Sequence, residues 1–289
     1  MIKREENPQK NKKRIKMNKK YNFSIGVMFR DEAHIMDEWV KHYLRIGADN
    51  IYMINHSSND NFMDILNGYI KEKVVTLYES NHKSKKYAQI EQYNKKITPY
   101  VKDSQWFAFL DMDEFLYSRQ NNNIIDILNN SEYNAYSVPW INFGSNGLLD
   151  TPESVIKSFN RRANYNNPNH NFLALRQTKA LFDTDYFERV VELHYIYDKR
   201  NLMLIKENHV FNRHEVVKRN KHFRFSEYDI DRTDLAINHY SVQAKNWYNK
   251  IKNKKLAGNS AQVKYNSKYW RLMDTNEIED NILRDQVYK

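Results

Sequence analysis

The 289-residue chain carries 46 Lys and Arg against 36 Asp and Glu, a formal net charge of +10, with 14% aromatic residues, six glycines and no cysteine. Disulfides and thiolate metal sites are therefore excluded, and any metal must be held by oxygen or imidazole ligands. No apolar run is long enough to cross a bilayer and the N-terminus lacks an apolar signal core, so a soluble, cytoplasmic protein is the expectation.

Residues 1–20 hold nine Lys or Arg against Glu5 and Glu6, a net of +7 that leaves +3 of the +10 for the rest of the chain. This segment reads as a solvated, disordered tail and a candidate for peripheral contact with an anionic membrane surface. Nucleic-acid binding through the same tail is the alternative, but the weakly charged body argues against it, and no nucleic-acid partner is expected. Residues 21–289 read as one domain, large enough to bury a substantial core.

"FSIGVMF" (Phe23 to Phe29) is a strand-type apolar run ending in Arg30-Asp31-Glu32. Ile35, Met36, Trp39, Val40 and Tyr43 then keep helical spacing, and Gly47 stands where a helix stop belongs. "NIYMI" (Asn50 to Ile54) is a second strand, followed by the polar cluster Asn55 to Asp60. Phe62, Ile65, Leu66, Tyr69 and Ile70 mark a second helix. "VVTLY" (Val74 to Tyr78) is a third strand and Tyr87 to Val101 a third helix. "WFAFL" (Trp106 to Leu110) follows, ending in Asp111-Met112-Asp113-Glu114. Strands alternating with helices predict an α/β, mostly parallel sheet covered on both faces. Its strand ends would bring three polar clusters to one edge, where such sheets bind ligands.

After Ile141 the alternation breaks. "INFGSNG" (Ile141 to Gly147) is a glycine-bearing loop in a glycine-poor chain. Val190 to Tyr197 and Leu202 to Ile205 suggest a hairpin, and "INHY" (Ile237 to Tyr240) precedes a basic amphipathic segment, Val242 to Lys255. The expected division is an alternating α/β half, 21–141, and an α+β half with C-terminal helices, 142–289.

Two aspartates one residue apart, just after a buried strand, can face one cleft. Oxygen ligands of this kind suit Mg²⁺ or Mn²⁺, which neutralise a diphosphate and make it a better leaving group. His239 is placed to complete the coordination. The bland alternative is an acidic turn capping the next helix, Ile124 to Leu128.

Several blocks resemble, in order, the GT-A glycosyltransferases, specifically glycosyltransferase family 92 and the bacterial family-2-like enzymes. They are "RDEAHIMDEWVKHYLRIGADNIYMINHSSND" (residues 30–60), "QIEQYN" (89–94), "WFAFLDMDEFL" (106–116), "WINFGSNG" (140–147) and "INHYSVQAKNWYNKI" (237–251). The resemblance implies a GT-A, Rossmann-like fold and a nucleotide-sugar donor, with a uridine diphosphate sugar first. It implies Mn²⁺ or Mg²⁺ and transfer, of hexosyltransferase type and with inversion, to a hydroxyl of a glycan or similar acceptor. Matching positions make Asp111, Asp113 and His239 the metal ligands, Asp113 the firmer of the aspartates. Arg30, Glu32, Asn55, Asp60, Gln89 and Asp111 would hold the donor. Departures from the family pattern are Arg30-Asp31-Glu32 for Lys-Asn-Glu, Asn55 for Asp, and Gln243-Ala244 for Lys-Ser, where Lys245 could supply the missing charge.

A general base must reach the acceptor hydroxyl. Asp150, Glu153, Asp185, Glu188 and Glu192 lie in the acceptor-side half, each read by itself as a surface charge, and Glu114 adjoins the metal motif; Asp113, Glu114 and Asp150 are retained as catalytic candidates. Trp140 and Phe143 could stack on a sugar or belong to the core, and Gly144 could admit substrate close to the backbone. His194 reads as a structural histidine. A non-catalytic glycan-binding module is the third reading, disfavoured because such a module has no use for a metal–diphosphate site.

Overall fold

In this computed structural model the described residues are 19–81, 88–131, 133–170, 175, 177–191, 193–194, 226–252 and 267–288. The expected hairpin beyond residue 194, Glu192, the first 18 residues and the end of the basic segment lie outside them, and the described start of that hairpin, Val190, Val191, Leu193 and His194, is not strand.

The strands are β1 (Tyr21–Phe29), β2 (Asn50–Asn55), β3 (Val75–Glu79), β4 (Ser104–Phe109), β5 (Glu114–Ser118), β6 (Ala135–Asn142), β7 (Arg161–Arg162), β8 (Thr178–Asp183), β9 (Leu235–His239) and β10 (Ile278–Glu279). Eight of them form one sheet in the order β3-β2-β1-β4-β8-β6-β9-β5, while β7 and β10 pair separately. Pairings β1–β2, β2–β3, β1–β4 and β6–β9 are parallel; β8 runs antiparallel to both β4 and β6, and β5 antiparallel to β9. Following these directions across the sheet, β1, β2, β3, β4, β6 and β9 point the same way. Their carboxyl ends therefore share one edge. The α/β reading holds, and the one sheet takes strands from both sides of residue 142.

Alternation along β1 explains how the sheet is covered. Phe23, Ile25, Val27 and Phe29 belong to the cluster under helices α1 (Ala33–Arg45) and α2 (Phe62–Lys71), whereas Met28 joins Tyr93, Ile97, Phe107 and Phe109 on the other face. That second face is covered by Ala88–Gln92, a π-helical turn Tyr93–Ile97 and Thr98–Val101, where a single helix was expected. Gly47 stops α1 with φ +96°. Its N–H donates to the Leu44 carbonyl and the Ala48 N–H donates to that of Tyr43, the paired bonds of a Schellman cap.

Two sequence expectations change. The acidic turn does not cap the next helix, because β5 intervenes and Asn123 caps Ile124–Asn129 by accepting from the Asp126 N–H. Residues 178–183 form a buried strand wedged between β4 and β6, where no strand was predicted.

Candidate active site

The acidic turn is held from beneath by α1. Trp39 and Tyr43, spaced to face the core, also carry polar tips. Trp39 Nε1 donates to the carbonyls of Asp111 (3.1 Å) and Glu114 (2.9 Å), and Tyr43 donates to Glu114 O (2.8 Å) while accepting from the Leu116 N–H (3.0 Å). Glu114 folds back so that Oε2 accepts from the Asp111 N–H at 3.0 Å. The turn is thus fixed before any ligand arrives.

β9 delivers His239 opposite Glu114, since the two are register partners. Ligand atoms of Asp113, Glu114 and His239 all lie within 4.8 Å of one another. The tautomer of His239 follows from its support. The Asn142 amide donates through Nδ2 to the Leu175 carbonyl (2.9 Å), which leaves Oδ1 to accept from His239 Nδ1 (2.9 Å). The proton is then on Nδ1, and Nε2 presents a lone pair 3.7 Å from Asp113 Oδ1. Burial pulls the His239 pKa down to about 4 against the pull of Asp113, so the ring is neutral at physiological pH.

The acids differ in their surroundings. Asp111 accepts from Lys179 Nζ (2.8 Å) and Gln89 Nε2 (3.0 Å). Burial would raise its pKa, but Lys179 and Gln89 outweigh it and hold the carboxyl below the ordinary value. Asp113, unlike the partly exposed Asp111, is buried, yet Lys252, which pairs with Oδ2, and His239 keep it low. Glu114 is fully buried with Oε1 3.4 Å from Lys179 and without a hydrogen-bond partner. Burial, and then its aspartate neighbours, push its pKa well up despite Lys179.

Two carboxylates and one imidazole lone pair suit a hard or borderline divalent cation, and the unsatisfied Glu114 Oε1 is the kind of orphan such an ion would relieve. Asp111, expected among the ligands, stands outside this cluster with its oxygens on Lys179 and Gln89.

The other candidates divide clearly. Arg30 is half-buried, with its Nε ion-paired to Asp31 at 3.9 Å but without a hydrogen bond. Burial, over the opposing pull of Lys252, raises Glu32 to about 8, and its Oε2 has no hydrogen-bond partner. Asn55 is spent on the loop, donating to Glu79 (2.8 Å) and accepting from the Ser58 N–H (2.9 Å). Asp60 Oδ2 accepts from the Ala33 N–H (2.8 Å) at the start of α1, leaving Oδ1 buried and unpaired.

On the acceptor side, the Trp140 ring packs 4.0 Å from that of His239, and its Nε1 has no partner. Phe143 is 1% exposed and packs against Tyr240, so its ring belongs to the core and has no face for a sugar. Gly144 admits protein instead of substrate, because a Cβ there would meet Asn276 and lie 2.5 Å from the Thr275 carbonyl. His194 is satisfied by the Thr178 carbonyl at 3.0 Å. Asp150, Glu153, Asp185 and Glu188 are all exposed. Asp150 accepts from Asn246 (2.8 Å) and Asp185 pairs with Lys19 (2.8 Å).

Three residues of this site were not singled out from sequence: Asn142, Lys179 and Lys252. The available signal was Lys179 itself, a lysine inside the apolar run "TKALFD", since burying an ammonium requires an anionic partner.

Taken together, a mostly parallel α/β sheet with carboxylates and an imidazole gathered at its carboxyl edge defines an α/β protein whose ligand site would lie at that edge. The profile of glycosyltransferase family 92 matches residues 19–277, and the chain belongs to that family. A family 92 glycosyltransferase of Oryza sativa subsp. japonica is 24% identical over 118 residues, covering 39% of this chain and 19% of that protein. Among solved structures, S. aureus TarS 1–349 aligns with 13% identity and a TM-score of 0.34 over 57% of this chain and 48% of its own. The Pyrobaculum calidifontis mannosyltransferase PcManGT, solved with GDP-Man and Mn²⁺, aligns with 12% identity and a TM-score of 0.30, over 42% and 36%. The chain thus spans less than half the length of each of these proteins.

Proposed function

We propose that the chain transfers a sugar from a nucleoside diphosphate sugar, a uridine diphosphate sugar first, to a hydroxyl of a glycan or similar acceptor. The observation that carries this is the buried Asp113–Glu114–His239 cluster at the carboxyl edge of the sheet, in a chain of family 92. Asp113 and His239 would hold Mn²⁺ or Mg²⁺, with Glu114 as third ligand, and the bound cation would supply charge neutralisation for the departing diphosphate. Asp111, oriented by Lys179 and Gln89, would address the donor's ribose and diphosphate. Arg30 and Glu32, which follow β1 and each keep a buried polar atom without a hydrogen bond, would face the nucleoside.

In an inverting transfer the acceptor oxygen forms its bond to the anomeric carbon as the bond to the diphosphate breaks. The electron pair leaves with the diphosphate and the hydroxyl proton passes to a base. Asp150 is the proposed base, and Trp140 the acceptor-side aromatic.

The test is Mn²⁺ uptake and donor turnover by the purified chain over a panel of sugar nucleotides. The expected result is binding and slow hydrolysis of one donor class, lost in Asp113→Ala, with Asp150→Asn keeping Mn²⁺ binding but losing transfer. No binding or turnover of any donor, or an Asp113→Ala variant that behaves as wild type, refutes the reading.

A further inference from the structure

Lys252 ends a π-helical turn, Tyr248–Lys252, that follows the short helix Lys245–Trp247. Its root is firmly seated. Trp247 and Tyr248 are buried, and the N–H groups of Lys245 and Asn246 donate to the carbonyls of Leu148 (3.1 Å) and Leu149 (2.8 Å). Its ammonium reaches over to Asp113 Oδ2, and the side chain as a whole is 14% exposed. Asp113 Oδ1 meanwhile faces His239 Nε2. The aspartate central to the candidate cation site therefore already holds a monovalent counter-ion, tethered to the chain 139 residues away.

A divalent cation drawn to Asp113 Oδ1 would share one carboxylate with the ammonium on Oδ2, and two cations that close repel each other in a partly desolvated site. Lysine is suited to giving way, since its charge is a point at the end of a flexible stem while the backbone stays in place. The partner that does arrive with the cation is the anionic diphosphate of the donor.

We propose that Lys252 is an exchangeable counter-ion. It neutralises Asp113 while the site is without donor, and it passes to the donor's diphosphate when a divalent cation takes Asp113. This rests on the metal–diphosphate reading above. It makes cation binding without a donor a competition, and it gives the donor an extra cationic contact once the cation is bound.

The experiment measures two affinities in wild type, Lys252→Met, Lys252→Gln and Lys252→Arg. One is for Mn²⁺ alone, by electron paramagnetic resonance of the free ion; the other is for uridine diphosphate at saturating Mn²⁺, by calorimetry. Both neutral variants should bind Mn²⁺ alone about tenfold more tightly and uridine diphosphate about tenfold more weakly, within the usual range for coupled sites. Lys252→Arg should stay near wild type in both. A merely structural lysine would weaken both affinities together, and the opposite movement of the two is the signature. Folded neutral variants that bind Mn²⁺ no more tightly than wild type overturn the proposal; having two of them guards against one failing to fold. If wild type takes up Mn²⁺ through Asp113 and the Lys252 variants change nothing, this inference alone fails. If wild type takes up none, the reading beneath it fails too.

Discussion

Replacing Lys179 by methionine tests the electrostatic account of the site most directly. The side chain is 3% exposed and its ammonium is shared between Asp111 (2.8 Å) and Glu114 (3.4 Å). Methionine fills most of the stem's volume, so the perturbation is chiefly the lost charge. Removing one partner of a buried pair usually costs about 3–5 kcal/mol, because the other charge is left buried and uncompensated. Here Asp111 keeps 35% of its side chain in solvent, which screens part of the loss. Glu114 is already pushed toward its neutral form by burial, which removes a further part. A loss of about 3 kcal/mol at pH 7 is therefore expected, the lower end of that range. With a urea m value of about 3 kcal/mol/M, the midpoint should fall by about 1 M. The loss should also depend on pH. Lys179 lowers the folded-state pKa of Asp111, so the stability it confers is present above the ordinary aspartate value and disappears as pH falls through the folded one. Wild type and Lys179→Met should thus converge as the pH falls below about 4, where unfolded-state aspartates begin to protonate. Urea titrations across that range provide the assay. A difference that is the same at every pH, or below about 1 kcal/mol at pH 7, would refute the assignment of Lys179 as the counter-ion of the acidic turn.

Tyr43→Phe removes a hydroxyl that donates to Glu114 O and accepts from the Leu116 N–H, and it should cost about 1–3 kcal/mol by thermal unfolding. The same variant should loosen the acidic turn and weaken Mn²⁺ binding. Gly144→Ala forces a methyl against Asn276 and the Thr275 carbonyl, and overpacking of this kind costs about 1–3 kcal/mol, read as a lower Tm. His42, buried between Arg45 and the Leu116 carbonyl, is pulled down to about 3 by burial, and His239 to about 4. In both, the unfolded ring takes up a proton at a higher pH than the folded one. Stability is therefore complete above about pH 6.5 and falls as the pH drops toward those folded values, by at most about 1.4 kcal/mol per pH unit for each histidine. Replacing His42 by an uncharged residue should flatten this slope in acid unfolding curves; an unchanged slope would remove His42 from the account.

The sequence by itself determined the first half of the sheet and the acids at its edge. β1, β2 and β4 are short apolar runs, and α1 and α2 carry helical periodicity; both signals depend only on near neighbours in the chain. The Asp111–Glu114 turn and His239 were legible for the same reason, as polar residues closing apolar strands. Tertiary structure decided how those residues are used. β8 enters antiparallel between β4 and β6, and its pairing with β4 brings Lys179 to Asp111, 68 positions away in the chain. The 139-residue reach of Lys252 to Asp113 has no local signature either. Burial and two lysines from distant segments separate the motif's acids into two held ionised and one pushed toward neutrality, a division of charge that residue spacing does not carry. Burial also sends Phe143 to the core, where an aromatic beside a glycine loop could as well have lined a site. Side-chain period and strand propensity act within a few residues. The neutralisation of a buried charge is settled by whichever distant segment the sheet order lays beside it.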